Sequence, residues 1–179
     1  MPWRDLSSRH RLRLVVNLVN GSTIFGAVVA RAGGARLARG PNGLLTATGY
    51  RPPVPVAPAF TVGNVIIVNR RHPHPLPAAV FGHEARHATQ YAWCGGLLML
   101  PLYFLAVGIS WALCGNIGAW NVFERQAGLA DGGYAQRPLR PALARALSGT
   151  GRRSPAAGPG SPTAPEQGGP AESNASPSR

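Results

Sequence analysis

Lysine is absent from this chain: all 18 basic residues are arginine, against only six acidic ones, which leaves a formal net charge of +12. Charged residues make up 13% of the total, about half of what an average soluble domain carries. With 23 glycines and 18 prolines, an arginine-only basic complement looks like GC-rich coding. The arginines are scattered rather than gathered on one periodic face, and no nucleic-acid motif accompanies them, so nucleic acid is not expected as a partner. An anionic membrane surface fits the charge better. Two cysteines, Cys94 and Cys114, are too few for a disulfide framework and too far apart for a metal knuckle. Both lie in apolar sequence, where free cysteine behaves as a small hydrophobe. They leave the compartment open between membrane-associated and cytoplasmic.

What is present allows one domain with a modest core and a tail, since 45% of the 179 residues are hydrophobic. The domain is expected over residues 1–147, and its first 30 residues form a basic and then apolar segment. Residues 148–179 are mostly Gly, Pro, Ser and Ala and are expected to be a disordered tail, because they offer too little apolar surface to offset ordering entropy. Residues 14–30 carry no charge but are diluted by Asn17, Asn20, Gly21, Ser22 and Thr23. Two readings stay open for them: a helix packed on the domain, or a cleaved or anchoring segment of the signal-peptide kind.

Pro41-Asn42-Gly43 is a turn signal between Ala35–Arg39 and Leu44–Tyr50, which predicts a hairpin. A proline-rich link, Pro52–Pro58, leads to Phe60–Val68, whose β-branched content predicts a strand. Arg70–Pro77 reads as loop, because His72-Pro73-His74-Pro75 cannot continue either regular structure. His72 and His74 are read as solvated side chains of that loop. Helices are expected over 78–94 and 119–130, with Gly132-Gly133 ending the second. The class is therefore α+β: an N-terminal helix, a small antiparallel β region, then three helices.

The first of those three helices carries His83-Glu84-Ala85-Arg86-His87. At this chain's histidine and acid content, such an HExxH match is expected by chance only about 0.005 times. Histidines four apart stack on one helix face, where both imidazoles can bind one zinc ion at about 2.0–2.1 Å. Glu84, beside a ligand, can reach a water activated by the ion and act as general base. A catalytic zinc needs a third protein ligand and an open position. Downstream and before the tail, only Glu124 and Asp131 offer carboxylates. Glu124 has two readings, a ligand or the N3 residue of a capping box begun by Asn121. Asp131, two helical turns on, could accept a hydrogen bond from a ligand histidine or stay solvated. Gln90 and Tyr91 share the His87 face and could line the site or simply pack.

HEARHATQ followed by NVFERQAGLAD resembles the gluzincin division of zinc peptidases in a minimal form. It is also similar to bacterial proteins of unknown function that join an HExxHxxQ helix, an apolar helical segment and an N-x-F-E-x-x-A helix. The resemblance covers about residues 60–134. It implies a zincin-like fold, a zinc cofactor, His83, His87 and Glu124 as ligands, Glu84 as catalytic base, and a peptide or small-molecule substrate. The strand preceding the motif helix would pair with an extended peptide by edge addition. The histidine or tyrosine that steadies the oxyanion in many such peptidases has no clear match here. Tyr91 and Tyr134 are the candidates for that role. A zinc-binding domain without turnover, and a small membrane protein with an incidental motif, are the competing readings.

No charged residue occurs from Ala88 to Phe123, and residues 92–114 are long enough to cross a bilayer. A single span there would separate His87 from Glu124 by about 30 Å of hydrocarbon. A span and a His83/His87/Glu124 site therefore exclude each other. With Gly95-Gly96, Pro101, Gly108 and Gly115 breaking the run, it is expected to fold back and cover the site or lie against a membrane.

Overall fold

The computed structural model describes residues 6–149 apart from position 73. The chain is α+β. Six helices are present among these residues: α1 (Ser8–Val19), α2 (Ser22–Ala32), α3 (Ala78–Trp93), α4 (Met99–Cys114), α5 (Val122–Ala127) and α6 (Pro141–Gly149). Four strands, β1 (Arg36–Arg39), β2 (Leu45–Tyr50), β3 (Ala59–Val62) and β4 (Val65–Asn69), form one sheet in the order β1-β2-β4-β3. The expected tail falls mainly on residues outside those described, and its first positions belong to α6.

The predicted hairpin is β1–β2, antiparallel with Arg36 opposite Thr48 and Arg39 opposite Leu45. The expected strand over Phe60–Val68 is instead a second hairpin. Gly63 and Asn64 form its two-residue turn, and Val62 faces Val65. Gly63 has φ +61°, and a Cβ there would meet the backbone of Ser22 and Thr23 at 2.5–2.7 Å or closer. Only glycine fits both that backbone angle and the close approach of α2. Splitting the run puts β4, buried at every residue, between two neighbours. It pairs in parallel with β2 and antiparallel with β3, so the sheet is mixed where an antiparallel one was expected.

Alternation along β4 defines three layers. Val65 and Ile67 pack with Ala30, Ala47 and Tyr50 under α2. Ile66 and Val68 pack with Leu44, Ala59 and Ala88 under α3. The N-terminal segment is two helices rather than one, bent by 73° at Gly21, which has φ +78°. Asn17, Ser22 and Thr23 face inward. Asn17 donates to Ala88 O at 2.8 Å and to Asn64 Oδ1 at 3.1 Å, while Thr23 Oγ1 accepts from both nitrogens of Asn64. Buried amide groups so paired hold α1, the β3–β4 turn and α3 in one arrangement.

The apolar run folds back. No single helix among the described residues is long and apolar enough to cross a membrane. α4 ends at Gly115 in the left-handed conformation. The buried Ser110 then donates to Asn116 O at 2.6 Å and accepts from Trp120 N at 2.9 Å. That returns the chain beside α4. Asn121 caps α5 by accepting from Phe123 N at 3.0 Å, as its residue type predicts.

Candidate metal centre

α3 carries His83 and His87 on the face that meets β3 and α5, and α5 carries Glu124 on its buried side. The three side chains are all buried, and one donor atom from each lies within 4.8 Å of the others. His83 Nε2 stands 3.0 Å from His87 Nε2 and 3.1 Å from Glu124 Oε2, and His87 Nε2 stands 3.7 Å from Glu124 Oε1. A tetrahedral ion with ligands at about 2.0–2.1 Å needs donor separations of about 3.3–3.4 Å, so the three distances bracket that value. The ligand reading of Glu124 and its capping reading diverge here. Asn121 N bonds to Gly118 O, and the Glu124 carboxylate faces the histidines.

Hydrogen bonds around the triad orient it for a cation. His83 Nδ1 faces Ala127 O at 3.0 Å and Gly128 O at 3.1 Å. His87 Nδ1 faces Gln90 Oε1 at 2.8 Å, and Gln90 Nε2 donates to Phe123 O at 2.9 Å. Acceptors at both Nδ1 positions assign the protons there and leave both Nε2 lone pairs aimed into the centre. Glu124 Oε2 is buried without a hydrogen-bond partner. Two facing lone pairs and an orphaned carboxylate oxygen form an acceptor-only pocket, which fits a divalent cation. The donor set of two imidazoles and a carboxylate suits a transition-metal ion.

Charge couples the same groups without a metal. Burial works against a charged Glu124, but the facing imidazoles and the Tyr103 hydroxyl outweigh it and hold the carboxyl at about 2. For His83, burial lowers the imidazole and the Glu124 carboxylate more than compensates, so its pKa is raised. Glu84 behaves oppositely. Burial raises its pKa over the opposing effects of His87 and of the hydrogen bond from Thr61 Oγ1, 2.6 Å from Oε2.

The structure relocates several expected residues. Asp131 does not touch a histidine. It pairs with Arg86 at 2.8 Å, and Arg86 also donates to Ala127 O, the acceptor of His83, at 2.5 Å. α5 ends at Ala127, short of the helix expected over 119–130, so Asp131 lies in the following turn, where it meets the exposed guanidinium of α3. Tyr91 is buried against Val62 and Met99, and burial pushes its phenol up. Tyr134 packs its ring on Gly118, and burial together with the Glu124 carboxylate raises its phenol.

Tyr103, in the middle of α4, is the site residue that sequence reasoning missed. Its hydroxyl donates to Glu124 Oε1, and its ring meets His87 edge-on at 6.1 Å between centroids. The available signal was a lone tyrosine within an otherwise apolar helix, a position where a buried hydroxyl needs a partner. Gly132 closes the other side, since a Cβ there would run into the His83 ring. Glu84, Glu124 and Asp131 are the only acidic residues among those described. His72 lies away from this group on its exposed loop.

Comparison with protein-family models, curated proteins and solved structures finds no match. A buried His83/His87/Glu124 group able to hold a metal ion is what the chain presents.

Proposed function

We propose that this chain is a zinc-dependent hydrolase of the metallopeptidase type, built as a minimal gluzincin-like domain. The observation that carries the reading is the acceptor-only His83/His87/Glu124 pocket with the buried Glu84 on the adjoining turn of α3. Zinc in that pocket would supply Lewis acidity, polarising a substrate carbonyl and making water acidic near neutral pH.

The remaining chemistry belongs to the chain. Glu84 accepts the proton that the attacking water loses and returns it to the leaving group as the scissile bond breaks. A pKa raised by burial brings a carboxylate closer to the range in which both transfers run well. Thr61 orients that base through its hydroxyl. The same residue sits on β3, at the open end of the strand order. The Asn69 N–H to Pro58 O bond, with the register of the hairpin, directs the main-chain groups of Phe60 and Val62 into the sheet. Those of Ala59 and Thr61 therefore point to the edge, where an extended substrate could pair beside the base. Of the two expected tyrosines, Tyr134, whose phenol feels the Glu124 carboxylate, is the one we assign to the charge that develops.

The test uses purified zinc-loaded chain digesting a diverse set of peptides and esters, with a chelator control. Glu84→Gln should keep its zinc and lose at least about 100-fold in rate. Cleavage that survives this substitution unchanged does not come from this site. Zinc-loaded wild type that cleaves nothing would favour a metal-binding module without turnover.

A further inference from the structure

α4 has two stripes of the same helical spacing. Met99, Tyr103, Ala106 and Ser110 face the protein, three of them buried and Tyr103 half-buried. Leu98, Leu102, Leu105 and Ile109 face out and are exposed, with Phe104 (66% exposed) and Trp111 beside them. A helix on a water-facing surface carries charge on its outer stripe; this one carries none. Exposed apolar residues also bracket the helix, from Trp93 (85% exposed) to Ile117 and Trp120. So much contiguous apolar surface marks an interaction face.

The charges nearest that face identify what covers it. Arg140 stacks on Trp111 at 5.3 Å and donates to Trp111 O at 3.1 Å; Arg125 stacks on Trp120 at 5.2 Å. The Trp120 indole donates to Arg137 O at 2.8 Å. All three arginines are exposed, and none is ion-paired with a carboxylate among the described residues. Apolar side chains followed by indoles and then guanidinium groups reproduce the layering of a bilayer interface, with arginine at the phosphates. A second copy of a chain of net charge +12 would set arginine against arginine. An anionic lipid surface is complementary.

α4 is too short to cross such an interface. Sixteen residues extend about 24 Å, short of the roughly 30 Å of hydrocarbon. Tyr103 and Ser110 also tie its inner face to Glu124 and to the returning loop. We propose that the outward stripe of α4 inserts into one leaflet of an anionic bilayer, with the arginines at Trp111 and Trp120 on lipid phosphates. The metal centre then sits directly behind the docked helix. The inference stands on surface chemistry and not on the zinc reading.

Cosedimentation of the full chain with vesicles of phosphatidylcholine alone, or with about a third phosphatidylglycerol, tests it. Binding should favour the anionic vesicles, weaken with salt and survive chelator. Leu102→Glu with Leu105→Glu should weaken it at least about 100-fold, and Arg140→Gln about fivefold. Gly108→Glu provides a second probe. A Cβ at that exposed position meets nothing within 4 Å, so folding should be untouched, and binding should fall at least about tenfold. Wild-type binding by both glutamate variants would overturn the proposal. So would equal binding to neutral and anionic vesicles, no binding by wild type, or loss on chelation. A dimer broken by Leu102→Glu/Leu105→Glu with vesicle binding intact would assign the face to a second copy.

Discussion

Tyr103 reaches from the most apolar helix among the described residues to hydrogen-bond Oε1 of Glu124, and so ties the proposed membrane-facing element to the carboxylate of the metal centre. Tyr103→Phe keeps the ring against His87 and Phe123 and removes only that hydrogen bond. Zinc Kd, measured by competition with a chromophoric chelator, should rise about 10- to 100-fold, the usual effect of losing a partner of a ligand. Circular dichroism should not change. An unaltered Kd would show that the hydroxyl has no part in holding the ligand.

Direct ligands should matter more. Wild type should carry about one zinc per chain, while His83→Ala, His87→Ala and Glu124→Ala should each lose at least about 100-fold in affinity. Metal analysis after dialysis decides this. Full zinc in all three variants would place the metal elsewhere.

Gln90 has two separable tasks, accepting from His87 Nδ1 and donating to Phe123 O. Gln90→Ala should cost about 1–3 kcal/mol of stability and lower zinc affinity about 10- to 100-fold. Gln90→Glu restores the acceptor but not the donor. It should recover the affinity while leaving the stability loss, and titration and denaturant melts can be read side by side. Recovery of both, or of neither, would contradict the split.

Two carboxylates should pull stability in opposite directions with pH once the metal is stripped. Glu124 is held at about 2 against an ordinary 4.5. Its contribution is complete above the ordinary value and disappears as pH falls toward 2. Glu84 is raised from 4.5, so its folded form binds the extra proton, and stability declines as pH rises past that ordinary value. Denaturant melts should find Glu84→Gln gaining on wild type from pH 4.5 upward. Glu124→Gln should be weaker than wild type above pH 4.5, with the gap closing toward pH 2. A flat difference for either variant would contradict its assignment.

The legible parts of this molecule were those written locally. The HExxH helix, the Pro41–Gly43 hairpin and the Asn121 cap depend on neighbours in sequence, and they occur with bounds close to those read from residue types. Phe60–Val68 was misread because its β-branched residues outweighed the Gly63-Asn64 dipeptide. The glycine is dictated by Ser22 and Thr23, some forty positions away. Tyr103 was missed for a similar reason. Its partner lies on another helix, and in sequence it is one of three aromatic residues in an apolar run. The Asp131 pairing with Arg86 likewise depends on how the 128–134 loop crosses α3, which no local pattern encodes.

The inward-facing polar residues of the first two helices bear on how this protein can be processed. Asn17, Ser22 and Thr23 interrupt an apolar stretch that otherwise imitates a secretory leader; in the fold Asn17 and Thr23 bond to the sheet turn, Asn17 also to the motif helix, and Ser22 donates back to Asn17 O. A peptidase cutting after Ala30 would remove residues that are packed into this fold. It would strip the cover from Val65 and Ile67, leave Asn64 without its partners, and take away the acceptor-donor contact at Ala88, one residue beyond His87. Such a cut would therefore act on the helix of the metal pocket from behind, through the contact of Asn17 with Ala88.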